Sequence, residues 1–249
     1  MKNYGNKVLH CGVTRTGTTV VRYVFEKLVE RLDLDIETVN TGHKLFPKEY
    51  TKEQRKEPVL GRVLITRDPF HMLNSMKNTF MNPTFKDVIE YDIEVMAGHL
   101  GRVLNQIVEF SNHGIHNDGF VLMLRYESFL PNNLDYLVWF FHDYLKVFSE
   151  QKLIPEFEPF TKNQMVEFQK EIVEEFSIKN QLKRIKHLKT YNDMEEKYEL
   201  HGNHISSKDG YGSINSLSGS ERVFIMEEYS WFLKEFGYMP IQAHSVGFG

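Results

Sequence analysis

The sequence predicts a three-layer α/β fold: a mainly parallel central sheet flanked by helices, in one domain spanning 1–249. Three observations predict it. Lys7 to Arg22 reads as a strand, a tight loop and a helix. Gly61 to Thr66 is a near-continuous apolar run, as expected of a central parallel strand covered on both faces. Strand-like and helix-like stretches alternate along the rest of the chain, with no internal repeat and no low-complexity linker.

Each element has its own local signal. The first strand covers Lys7 to Cys11. The first helix opens at Thr18 and runs to about Leu32, with Val21, Val24, Phe25, Leu28, Val29 and Leu32 on one apolar stripe. Ile36 to Asn40 reads as a short strand. After Gly61 to Thr66 comes Arg67-Asp68-Pro69, where Asp68 suits an N-cap and Pro69 a first helical position. That helix carries Ser75. Thr84-x-x-Asp87 resembles a capping box and starts a helical region, broken at Gly98 and Gly101, that reaches Phe110. Asn112 to Gly119 reads as a turn. Its His113 and His116 lack the partners a metal site needs. Phe120 to Leu124 is the next buried strand, followed by Arg125-Tyr126-Glu127. Leu134 to Phe148 is an aromatic-rich helix whose Trp139, Phe140 and Phe141 read as core. Lys162 to Tyr198 is long, helical and charged, with a basic cluster at Lys183, Arg184, Lys186 and Lys189. Ser218-x-x-Glu221 is a capping box for a last helix that turns Val223, Met226, Leu233 and Phe236 inward and stops at Gly237. Gln242 to Gly249 reads as a frayed tail.

Composition narrows the function. The 249 residues are 41% hydrophobic and 26% charged, which suits a globular chain with a real core. A net charge of −4 gives no bulk attraction to nucleic acid or an anionic membrane, so any anion site must be local. The single cysteine, Cys11, excludes an internal disulfide. No apolar run approaches a membrane span and no signal peptide is recognisable, so the expected location is cytoplasmic.

The chemistry begins in the loop from Gly12 to Gly17. A Gly/Thr-rich loop feeding a helix N-terminus gathers backbone N–H groups and the positive end of the helix dipole, which together hold anions. Gly17 allows close approach of a phosphate. Thr18 and Thr19 add hydroxyl donors, and Arg15 adds a planar cationic fork. The loop nearly fits the Walker A pattern, but Thr18 stands where that pattern has its Lys. A nucleoside triphosphate is therefore a poor first choice. Arg15, His43, Arg67 and Tyr126 all follow expected strands, and ligands in such sheets bind at the carboxyl ends of strands.

These residues resemble the sulfotransferases that use 3′-phosphoadenosine 5′-phosphosulfate (PAPS). Arg15-Thr16-Gly17-Thr18-Thr19 is similar to their strand–loop–helix motif in its carbohydrate-directed form. Arg67-Asp68-Pro69, with Ser75 eight residues past the Arg, is similar to their second motif. Arg125-Tyr126-Glu127 resembles the family's Y-E after the next core strand. Thr41-Gly42-His43 with Pro47 resembles the segment bearing the catalytic base in cytosolic members. Ser206 to Gly212 resembles the C-terminal cofactor loop. The resemblance spans about Lys7 to Tyr238, with departures: Val20 stands where many members place a Trp, and the last loop lacks an Arg-Lys-Gly run.

The resemblance implies sulfuryl transfer from PAPS to a hydroxyl or amine, without a metal. It implies that Arg15 and the backbone of Thr16, Gly17, Thr18 and Thr19 face the 5′-phosphate. It implies that Arg67, Ser75, Ser207, Lys208 and Gly210 hold the 3′-phosphate, and that His43 is the general base, with His204 in reserve. Tyr126 is expected either to touch the cofactor or to pack in the core. Glu127 is expected to pair with Arg125 or to cap the loop after it. The acceptor, whether sugar, phenol, lipid headgroup or peptide tyrosine, is left open. The competing readings are a P-loop nucleotide kinase or NTPase and a non-catalytic anion- or nucleotide-binding protein.

Overall fold

The computed structural model describes residues 4–11, 17–41, 45–47, 49–80, 93–129, 133–188, 194–195, 200–201 and 217–238. Strand β1 (Lys7–Cys11) leads through α1 (Thr18–Arg31) to β2 (Glu37–Asn40), and β3 (Gly61–Thr66) leads into α2 (Pro69–Phe80). Helix α3 (Ile93–Asn117) precedes β4 (Phe120–Arg125), the short α4 (Tyr126–Phe129) and α5 (Leu134–Glu150). Helices α6 (Lys162–Phe176) and α7 (Ile178–Ile185), a two-strand ribbon of β5 (Met194–Glu195) and β6 (Leu200–His201), and helices α8 (Gly219–Glu228) and α9 (Ser230–Glu235) follow. The main sheet has the order β2-β1-β3-β4, and every pairing in it is parallel. The α/β class and three-layer plan expected from the sequence are therefore those of the structure.

Side-chain alternation along the strands builds two cores. Val8, Val63, Ile65, Leu122 and Leu124 face α1, α5 and α6, where Val24, Phe25, Leu28, Phe141, Leu145 and Phe168 are buried. Leu9, Cys11 and Leu64 face the opposite layer, with Met72, Leu73, Leu104, Ile107, Ile225 and Phe232. The chain from β1 thus winds to one side through α1 and β2. From β3 it winds to the other, through α2 and α3. The reversal falls between β1 and β3, and the crevice outside their carboxyl ends is where sheets of this kind hold ligands.

Four expectations are corrected. Asn112 to Asn117 is not a turn: α3 runs without a break through Gly98, Gly101 and Gly114 to Asn117. Gly114 is there for packing, since a Cβ on it would lie 2.5 Å from Val121 Cγ2 and 3.1 Å from Arg62 Cδ. The helix expected over 162–198 is interrupted at Ser177, which ends α6 and whose hydroxyl accepts the Asn180 N–H to start α7. Beyond Ile185 the described residues include the antiparallel pair β5 and β6 rather than more helix. Trp139 is 44% exposed while Phe141 is fully buried, so only part of the aromatic run is core. Val223, expected inward, is exposed, while Leu233 and Phe236 are buried as expected, together with Ile225, Tyr229 and Phe232. The Thr84 capping box lies outside the described residues. No helix among the described residues is long and apolar enough to cross a membrane.

Candidate functional site

The site is assembled by the residues that leave the sheet at its carboxyl edge. Thr66 of β3 lies opposite Arg125 of β4, so the next residues, Arg67 and Tyr126, emerge side by side. The Arg67 side chain is buried, and its guanidinium carbon lies 4.1 Å from the centroid of the Tyr126 ring. That distance is well inside the range of a cation–π contact. The backbone N–H of Asp68 donates to Glu127 Oε1 at 3.0 Å, tying the β3 end to α4. Asp68 Oδ1 accepts the Phe70 N–H at 2.9 Å, the N-cap role expected for it. Burial raises the Asp68 pKa, and the nearby Glu127 carboxylate pushes it the same way. Ser75 and its neighbour Asn74 are both buried on α2. The Arg-to-Ser spacing of the sequence is thus realised as a strand end followed by a buried helix face.

The β1 side of the crevice is the N-terminus of α1. Gly17 is its N-cap, with φ 71°, a left-handed conformation that suits glycine. The first turn has no acidic side chain and no side-chain cap, so its partial positive charge is not offset from within the helix. Arg15, Thr16, His43, Ser207, Lys208 and Gly210 lie outside the described residues. The described neighbours of His43 are both anchored. Thr41 is buried and donates its N–H and its hydroxyl to the His10 carbonyl, at 3.2 and 3.3 Å. The Leu45 carbonyl accepts from Arg62 Nη1 at 2.7 Å.

Several residues, at the site or elsewhere along the sheet, carried no signal in the sequence. Tyr238 reaches back from the end of α9, and its hydroxyl lies 2.8 Å from Thr66 Oγ1. Its ring lies 5.3 Å from the Arg125 guanidinium and stacks on Phe232. Burial, with a contribution from Glu127, keeps this phenol well above the usual tyrosine range. A Cβ on Gly237 would collide with the Arg125 guanidinium, so that glycine serves the packing as well as the helix end. Arg62, second residue of the central strand, is wholly buried. Its Nε donates to Asp118, whose side chain is only 2% exposed, and its guanidinium lies 5.0 Å from the Phe46 ring. His10 is fully buried, and neither ring nitrogen has a hydrogen-bond partner among the described residues. It tilts against Phe25 at 5.3 Å, and burial, helped by Arg22, lowers its pKa to about 3.

Glu127, expected to pair with Arg125 or to cap the loop after it, accepts the Asp68 N–H. Tyr126, expected at the cofactor or in the core, packs against the core on one side and under Arg67 on the other. Arg67, Gly17, Thr18 and Thr19 stand at the switch-point end of the sheet, and Ser75 is buried on α2. The geometry therefore defines a class: a parallel α/β protein with cationic and N–H donor groups at the carboxyl edge of its sheet. Neither the models of known protein families nor the curated proteins include a match to this chain.

Proposed function

We propose that the protein is a PAPS-dependent sulfotransferase. The observation that carries the proposal is the Arg67–Ser75 pair. A buried arginine leaves the central strand at the topological switch point, and a buried serine follows it on the next helix. A buried guanidinium with in-plane donors suits a phosphate dianion. The N-terminus of α1, with no acidic residue in its first turn and no side-chain cap among the described residues, suits a second anionic group. An adenosine bearing a 3′-phosphate and a 5′-phosphosulfate carries two such groups.

In this reading Arg67 and Ser75, with Ser207, Lys208 and Gly210, hold the 3′-phosphate. Arg15 and the backbone of Thr16 to Thr19 face the 5′-phosphate. The bond from sulfur to the 5′-phosphate oxygen breaks as a bond from sulfur to the acceptor oxygen or nitrogen forms. Negative charge grows on the departing phosphate, and donors aimed there stabilise the transition state selectively. His43 takes the proton that the acceptor loses. The reaction needs no metal and proceeds in the cytoplasm. The acceptor is a hydroxyl or amine compound. Titration with 3′-phosphoadenosine 5′-phosphate, the desulfated product, tests the proposal, with Arg67→Ala as the variant that weakens binding at least about tenfold. His43→Ala should then lower turnover sharply while sparing that binding.

A further inference from the structure

We propose that Tyr126 and Glu127 are positioning residues that brace Arg67 in the orientation from which it selects a ligand with a second phosphate. The inference rests on the reading of Arg67 as the partner of that phosphate. An arginine side chain has many rotamers, and a fork that must meet a phosphate in one plane gains most when it is held in advance. Two contacts constrain it here, from two adjacent residues of α4. The Tyr126 ring lies 4.1 Å beneath the guanidinium carbon, which orients the plane of the fork. Stacking uses the face of that plane rather than its edge, where the N–H donors lie. Glu127 Oε1 takes the N–H of Asp68, the peptide that follows Arg67, at 3.0 Å. The Asp68 carbonyl and carboxylate accept the Met72 and Phe70 N–H groups, each at 2.9 Å, so the backbone under the arginine is held on both sides. The register of β3 and β4, with Thr66 opposite Arg125, makes these contacts a consequence of the fold.

A brace of this kind acts on one phosphate only. It therefore sets the ratio of affinities for two ligands rather than affinity in general. The test is calorimetric titration of the whole protein with 3′-phosphoadenosine 5′-phosphate and, separately, adenosine 5′-phosphate. Tyr126→Leu should weaken the bisphosphate about tenfold and the monophosphate less than about twofold, the scale of one stacked cation. Tyr126→Phe keeps the ring and should keep both affinities. Tyr126→Leu added to Arg67→Ala should cost nothing further, because the two act as a unit. If Tyr126→Leu does not fold, Glu127→Ala takes its place with the same expected fall in the ratio. Equal weakening of both ligands, or full additivity with Arg67→Ala, overturns the brace and makes Tyr126 a packing residue. A wild-type protein that does not prefer the bisphosphate overturns the cofactor reading, and this inference with it.

Discussion

His10 gives the sharpest test of the physical account. It sits one residue from the end of β1, fully buried, and among the described residues neither of its nitrogens is hydrogen-bonded. A buried polar group without a partner costs about 1–3 kcal/mol. His10→Leu should therefore stabilise the fold by about 1 kcal/mol at pH 7.5, after allowing for imperfect repacking. The sign of the pH effect follows from linkage. The folded pKa of about 3 lies below the ordinary value of 6.5, so the unfolded chain binds the proton first. Stability is complete above pH 6.5 and falls as the pH drops from there towards 3. Each pH unit well inside this window costs about 1.4 kcal/mol, so moving from about pH 7.5 to about pH 5 removes about 2 kcal/mol through this residue alone. Burial also lowers the pKa values of His113 and His142, so the wild type alone does not isolate the term. The difference between wild type and His10→Leu does. Urea unfolding followed by circular dichroism should give a gap of about 1 kcal/mol at about pH 7.5 that widens to about 3 kcal/mol at about pH 5. A His10→Leu protein that is less stable at the higher pH, with an unchanged gap at the lower, would refute the reasoning.

Three further perturbations read other parts of the structure. Asp118→Ala leaves the Arg62 charge buried in the central strand without its carboxylate. It should cost about 3–5 kcal/mol in urea unfolding, and a loss under about 1 kcal/mol would mean the pair is hydrated. Phe141→Ala opens a cavity between α5 and Phe25 and should cost about 3–5 kcal/mol, while Trp139→Ala, on the exposed face of the same helix, should cost far less. Gly17→Ala forces a side chain into a left-handed backbone at the start of α1. It should cost about 1 kcal/mol of stability and weaken binding of a phosphate ligand, both read by melting with and without the ligand.

What was legible in the sequence follows from the range of the forces involved. The apolar stripe of α1, the run from Val63 to Ile65 and the Asp68-Pro69 start of α2 are set within a few residues, and the structure reproduces them. The expected turn over Asn112 to Gly119 failed because Gly114 carries no local sign of its packing role. Only the approach of Val121 and Arg62, from other strands, explains a glycine inside a helix. Ser177 was passed over because a serine that ends one helix and caps the next has the same local chemistry as a serine on a helix surface. Arg62 hid inside an apolar run, since its partner Asp118 lies 56 residues away. Tyr238 was read as the far limit of the resemblance, yet it meets Thr66 across 172 residues. That Arg67 and Tyr126 share one edge was legible for a simpler reason. Arg67 and Tyr126 each follow a strand directly, and parallel strands carry their successors to the same edge.

The central claim is that Arg67 and the α1 N-terminus serve a doubly phosphorylated adenosine, and calorimetric titration tests it most directly. The ligands are 3′-phosphoadenosine 5′-phosphate, with and without Mg²⁺, and ATP as the control. The account predicts binding of the bisphosphate that does not depend on the metal and that falls at least about tenfold in Arg67→Ala. A preference for ATP with Mg²⁺, unaffected by Arg67→Ala, would contradict it and favour a nucleotide kinase or NTPase.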